Sequence, residues 1–218
     1  MLKRYRLVVF DWEGTLAENS LGYLLNSLKS AAERLHMGTF DLQTARQLAP
    51  LGLATAIKKL FPQAQMYQQE EVLREAQKIL TESSAVVHLV PGSEDTVLWL
   101  HEAGMHLGIA TNKSAQGLAR VLQGSGLDVY FPITRSASES PSKPCPQMLE
   151  EIMDAFAVTA EQTLMVGDSI ADIEMAVSID VHAVGMDFFH TEEHDLRSSG
   201  ALHVFDNYQD LRQYIKDN

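Results

Sequence analysis

The feature that most limits the fold of this chain is a set of short, uninterrupted apolar runs, each ending abruptly in polar residues. Leu7-Val8-Val9-Phe10 stops at Asp11, Leu107-Gly108-Ile109-Ala110 stops at Thr111-Asn112, and Thr163-Leu164-Met165-Val166 runs into Gly167-Asp168. A strand that is apolar on both faces belongs inside a sheet covered by helices on both sides, and such sheets are parallel. Phe131 to Thr134, His182 to Gly185 and Ala201 to Phe205 read as three further strands. Helical patterns fall between them. One covers Thr96 to Ala103 and stops at Gly104; a second covers Ala115 to Gln123; a third is opened by Pro144 and Pro146 and runs to Phe156. Ala171 to Ser178 and Tyr208 to Ile215 make two more. Strands alternating with helices predict an α/β domain with right-handed crossovers and a mostly parallel sheet.

The stretch from Leu16 to about Thr81 has a different character. It is rich in Leu, Ala, Gln, Glu and Lys, and its apolar residues recur at helical spacing. Leu21, Leu24, Leu25 and Leu28 share one helical face, and Val72, Ala76, Ile79 and Leu80 share another. Pro50, Gly52 and Pro62 interrupt the pattern. An all-helical insertion over residues 16–90 is expected, with residues 1–15 and 91–218 forming the α/β core.

Composition narrows the function classes. The 218 residues carry 17 Lys and Arg against 29 Asp and Glu, a formal charge of −12, which argues against binding nucleic acid through its phosphates. A few local cations still suffice for a small anionic substrate. The single cysteine, Cys145, allows no internal disulfide, as expected in a reducing compartment. The basic start Met1 to Arg6 mimics a signal peptide, but its apolar run ends at Asp11, too soon for one. No stretch has the length of a membrane span. A cytoplasmic protein that contacts neither membrane nor nucleic acid is expected.

In parallel sheets of this kind, ligands sit beyond the carboxyl ends of the strands. The polar residues found there are Asp11 and Glu13, Thr111 and Asn112, and Asp168 with Asp172 four positions on. Lys143 comes from the loop before the proline-opened helix. Carboxylates so gathered repel one another unless a cation joins them, and hard oxygen donors without Cys or His point to Mg2+. A carboxylate can attack phosphorus and form an aspartyl phosphate. A lysine and a magnesium ion would neutralise the phosphoryl oxygens. Thr111 and the Asn112 amide would hydrogen-bond the same group. A second acid, two residues past the nucleophile, could protonate the leaving oxygen and then activate water.

These residues resemble the haloacid dehalogenase superfamily, in its phosphoglycolate-phosphatase-like branch. The family pattern appears in order as Asp11-Trp12-Glu13-Gly14-Thr15, Thr111-Asn112-Lys113, Lys143-Pro144-Cys145-Pro146 and Gly167-Asp168-Ser169-Ile170-Ala171-Asp172. The resemblance covers nearly the whole chain. It implies a Rossmann-like parallel sheet with an inserted helical cap, and magnesium-dependent hydrolysis of a small phosphorylated metabolite. By the same resemblance, Asp11 is the nucleophile and a metal ligand. The backbone carbonyl of Glu13 and the carboxylate of Asp168 complete the protein ligands, and Asp172 supports the metal's water shell. Thr111, Asn112 and Lys143 bind phosphate, and the insertion is a mobile cap that excludes water.

Glu13 departs from the family's phosphatases, which carry Asp there. Its backbone carbonyl is unaffected, but its carboxyl is one methylene further out. A misplacement of about 1 Å can cost roughly 100-fold in rate, and general acid catalysis contributes about 10²–10⁴-fold. Glu13 is therefore either a repositioned acid or a crippled one. Two alternatives follow: a degenerate member that binds a phosphorylated ligand with little turnover, or a phosphonate hydrolase using a cap lysine (Lys29, Lys58 or Lys59). Elsewhere, His190 and His194 read as a surface turn, and Lys113 reads as solvated unless it replaces Lys143. Trp12 and the cap residues Phe61, Met66 and Tyr67 read as packing.

Overall fold

A computed structural model describes residues 4–83, 87–190 and 192–218. The start of the basic segment, Met1 to Lys3, lies outside them, as does Thr191 beside His190. Contacts divide the chain into two compact units: the residues up to Ala17 with Leu89–Asn218, and Glu18–His88. The sequence boundaries stood two residues further out on each side. Val90 N–H donates to the Leu16 carbonyl, and Ala17 bridges Leu89, so these four residues belong with the sheet.

The first unit holds a six-stranded sheet: β1 (Leu7–Phe10), β2 (His106–Thr111), β3 (Ile133–Ser136), β4 (Thr163–Gly167), β5 (His182–Met186) and β6 (His203–Phe205). Their order is β3-β2-β1-β4-β5-β6, and every pairing is parallel. The strand order reverses at β1. Phe10 lies opposite Ile109 of β2 and Val166 of β4. The ends of these three strands therefore open side by side, which is the crevice where such sheets take ligands.

Five longer helices cover the sheet: α5 (Ser93–Glu102), α6 (Ala115–Ser125), α7 (Gln147–Phe156), α8 (Ile170–Val177) and α10 (Tyr208–Asp217). A short α9 (Glu193–Ser198) precedes β6. Leu7 and Val9 pack into one core with Met148, Leu149 and Ile152 of α7 and Ile173 and Ala176 of α8. Val8 and Phe10 face the other side by the alternation of a strand, where the Phe10 ring meets Phe131 edge-on. All four β1 side chains are fully buried, which explains the unbroken apolar run.

The second unit is helical: α1 (Ser20–Arg34), α2 (Leu42–Leu48), α3 (Leu53–Leu60) and α4 (Met66–Ser83). Asn19 and Asp41 accept hydrogen bonds from the first turns of α1 and α2. Leu28, Ala31 and Ala32 of α1 meet Ile57, Phe61, Val72 and Ala76 in its own core. Phe61 is packing, as expected, but Met66 and Tyr67 are not; they are 73% and 65% exposed at the start of α4.

Some element ends differ from the sequence reading for local reasons. β3 starts after Pro132, which has no N–H for a ladder, and Phe131 instead follows a 3-10 turn, Asp128–Tyr130. β6 starts at His203 because Gly200 (φ 109°) and Ala201 close the end of α9, donating to the Arg197 and Leu196 carbonyls. α7 starts at Gln147, with Pro146 as its N-cap and Pro144 in the preceding turn. The expected turn at His190–His194 is a turn only at His190 (φ 55°). His194 lies within α9, whose first amides, Glu192 N–H and Glu193 N–H, donate to the buried Asp187 carboxylate. No helix among the described residues is long and apolar enough to cross a membrane.

Ile152 tests the sheet core. Its Cγ2 lies 2.8 Å from where a Cβ on Gly108 would stand, so strand and helix are in close contact. Ile152→Ala is expected to cost about 2–5 kcal/mol, read as a lowered midpoint in denaturant with an unchanged slope.

Candidate active site

β1 delivers Asp11 to the crevice, and its backbone N–H donates to the Val166 carbonyl of β4. The next turn is tight: Gly14 N–H donates to the Ala17 carbonyl, and Ala17 N–H to the Trp12 carbonyl. Gly14 has φ 85°, and a Cβ there would stand 1.9 Å from Asp168 Oδ2. Only glycine allows the Asp168 carboxylate to lie against this turn. Thr15 Oγ1 donates to Asp168 Oδ1 at 3.3 Å, and the buried Tyr208 hydroxyl donates to the Thr15 carbonyl at 2.7 Å. Trp12 is 1% exposed, so its ring is core rather than a wall of the site.

Lys143 is the centre of the arrangement. Its Nζ, almost fully buried, lies 2.7 Å from Asp11 Oδ1 and 2.6 Å from Asp172 Oδ1, and it donates to the Ala110 carbonyl at 3.2 Å. Burial alone pulls its pKa down, but the Asp11 and Asp172 charges outweigh burial and hold it above the ordinary lysine range. The loop that carries it is fixed by Asn112, whose Oδ1 accepts from Lys143 N–H at 2.9 Å. Asp172 is fully buried, and its second oxygen accepts from Ser169 N–H and Ser169 Oγ, capping α8. Gly167 gives it room, since a Cβ there would stand 2.4 Å from Asp172 Cβ.

Carboxylate oxygens of Asp11, Asp168 and Asp172 lie within 4.8 Å of one another. Asp11 Oδ1 is buried, and its contact with Lys143 is an ion pair without the alignment of a hydrogen bond. Burial and the Asp172 charge push Asp11 up to about 6 against the pull of Lys143. Burial, then the Asp11 and Asp172 charges, push Asp168 up to about 8. Oxygen donors alone, among largely buried carboxylates that resist ionising together, fit a hard divalent cation.

Glu13 lies apart from this cluster. Its side chain is 53% exposed and points to Lys113, with Oε1 2.6 Å from Nζ. Exposed pairs of this kind contribute only about 0–1 kcal/mol. Thr111 is buried, and its Oγ1 accepts from Lys113 N–H at 3.3 Å. Asp11, Glu13, Thr111, Asn112, Lys113, Lys143 and Asp168 all line one open cleft of about 340 Å³, with Ser169. The sequence residues are thus brought together around it, except Asp172, which lies beneath. Lys113 is ion-paired, where simple solvation was the expectation. Cys145 is a half-buried free thiol.

Three participants carried little or no sequence signal. Thr15 and Ser169 stand inside the quoted motifs without an assigned task. Tyr208 looked like any apolar position of α10, since a hydroxyl bonded across 193 residues leaves no local trace.

A family model described as haloacid dehalogenase-like hydrolase matches residues 8–186. A phosphoglycolate phosphatase of Nitrosococcus oceani is 28% identical, over 99% of this chain and 98% of its own. One from Colwellia psychrerythraea is 25% identical, over 99% of each. A haloacid dehalogenase superfamily hydrolase of Geobacter sulfurreducens superposes with a TM-score of 0.60 at 21% identity, covering 97% of this chain and 96% of that one. A hydrolase of Pseudomonas syringae gives 0.64 at 19%, covering 97% and 98%.

The raised carboxylates predict a pH signature. Asp11 and Asp168 hold their protons more tightly folded than unfolded, from an ordinary 3.8 up to about 6 and about 8. Between these limits the folded state binds more protons than the unfolded one, so their contribution to stability falls as pH rises. The Tm of metal-free protein is expected to drop from pH 5 to pH 8, and added magnesium to restore more of it at pH 8. A metal-free Tm that climbs across this window would contradict the assignment. Family model, full-length relatives and fold agree, and the chain belongs to the haloacid dehalogenase-like hydrolases.

Proposed function

We propose that this hydrolase is a magnesium-dependent phosphatase acting on a small phosphomonoester of the phosphoglycolate type. The observation that carries the reading is Asp11: a buried carboxylate at the head of the cleft, 2.7 Å from a buried lysine and crowded by two further carboxylates. Full-length relatives that bear the name phosphoglycolate phosphatase support the substrate type.

In the proposed reaction, Asp11 attacks phosphorus while the bond to the leaving oxygen breaks, giving a phospho-Asp11 intermediate. Glu13 gives its proton to the leaving oxygen, then takes one from the water that attacks the intermediate and releases phosphate. Lys143, Thr111 and the Asn112 amide hold the phosphoryl oxygens. Lys143 is suited to this because Asp172 and the Ala110 carbonyl fix its ammonium beside the nucleophile. Magnesium, when held by Asp11, Asp168 and the Glu13 backbone carbonyl, supplies further neutralisation of phosphoryl charge. Asp172 is a positioning residue here, since both its oxygens are engaged with Lys143 and Ser169. The helical unit, Glu18–His88, acts as the cap that selects the ester.

A second reading has one observation in its favour. Glu13 is drawn to Lys113, as expected of a protein that binds phosphate esters with little turnover. The phosphonate reading gains nothing: Lys29, Lys58 and Lys59 are all exposed, whereas imine-forming lysines are activated by desolvation.

Phosphate release from an aryl phosphate tests the proposal. Activity is expected to need magnesium, and Asp11→Asn to lower it by about 10³-fold or more with the fold intact. Wild-type rates in Asp11→Asn would remove the nucleophile. Glu13→Asp separates the two readings: a site built around Glu loses rate, while a crippled site gains about 10²-fold.

A further inference from the structure

Two lysines line the cleft, and they are engaged differently. Lys143 is buried, and two carboxylates and a carbonyl fixed by the fold surround its Nζ: Asp11, Asp172 and Ala110. Lys113 stands at the rim, and its partner is the half-exposed Glu13 carboxylate at 2.6 Å. Its alkyl stem lies across Gly117 in the first turn of α6, where an added Cβ would meet Lys113 Cγ at 3.2 Å. Lys113 therefore holds a carboxylate already, and that carboxylate belongs to a flexible side chain.

We propose that Lys113 is the docking point for a carboxylate on the substrate's leaving group, with Glu13 as its internal placeholder. The proposal rests on the phosphatase reading of the cleft and deepens it: Lys113 is the residue that recognises the carboxylate of a phosphoglycolate-type leaving group. An incoming carboxylate replaces Glu13 on Lys113 like for like, charge for charge. The pair it breaks is exposed and weak, so the exchange costs little. Glu13, once displaced, is free to turn to the leaving oxygen beside it. An ester without the carboxylate leaves Glu13 tied to Lys113 and gains neither the anchor nor the released acid. The extra methylene of Glu13 then has a purpose, since it lets one carboxylate serve both positions.

Equilibrium binding measures this without turnover. The probes are 3-phosphonopropionate and propylphosphonate, equal in chain length and differing in the carboxylate, titrated calorimetrically with magnesium present. Wild-type protein is expected to bind the carboxylated probe about two- to fivefold more tightly. Lys113→Ala should abolish the preference and Lys113→Arg should keep most of it. Glu13→Gln, which removes the competitor, should enlarge it; opposite signs for the two partners would not follow from a structural role. Equal affinities in wild type, a preference that survives Lys113→Ala, or binding of neither probe would overturn the proposal. In turnover, Lys113→Ala should raise KM for 4-carboxyphenyl phosphate far more than for phenyl phosphate. Lys113-dependent preference without phosphate release from any ester would instead refute the phosphatase reading and leave this subsite standing.

Discussion

The ammonium of Lys143, enclosed between Asp11 and Asp172, is the interaction on which the rest of the site depends. Removing a charge from water is costly, and leaving it unpaired costs several kcal/mol more, about 3–5 for a broken buried pair. The fold meets that demand from three directions. Asn112 fixes the Lys143 backbone, Ser169 fixes Asp172, and β1 fixes Asp11 between two neighbouring strands. Burial, together with one positive charge among three carboxylates, makes Asp11 and Asp168 resist ionisation. The site is stable only by holding protons or by gaining a cation, and that imbalance is the physical basis for expecting magnesium.

Much of this was legible in the chain because it is local. Four-residue apolar runs flanked by polar ends told of buried parallel strands, and the motifs told which polar residues stand at their ends. The helical block was legible by composition. What could not be read lies across distance or depends on backbone detail. The direction of Glu13 is set by Lys113, a hundred residues away. The bond of Tyr208 to Thr15 joins the last helix to the first loop. Asp187, silent in sequence, organises α9 because its carboxylate takes two amides. Pro132 moved the start of β3 by removing a ladder donor, a one-residue effect that periodicity averages away.

Glu13 and Asp172 illustrate how position divides similar groups. Both are acids near the same lysine-rich cleft. Asp172 has no solvent and two fixed partners, so it is scaffolding for the ammonium. Glu13 has solvent, one weak partner and an extra methylene, so it is the acid able to move. Burial and the number of fixed partners separate these two carboxylates more clearly than the sequence motifs do.

The topology also imposes an order in time. The strand that leads into Asp11 is synthesised first, yet its partners arrive late. Thr15 reaches Asp168 across 153 residues and Tyr208 across 193. At a synthesis rate of about 5–20 residues per second, the loop after β1 waits roughly 10–40 s for its last hydrogen bond. Until β2 and then β4 are made, the earliest strand lacks its edge partners. The helical unit, whose core residues all fall within Glu18–His88, can condense meanwhile. The insertion after β1 thus places in the chain, between the first strand and the strands that pair with it, a helical unit with a core of its own.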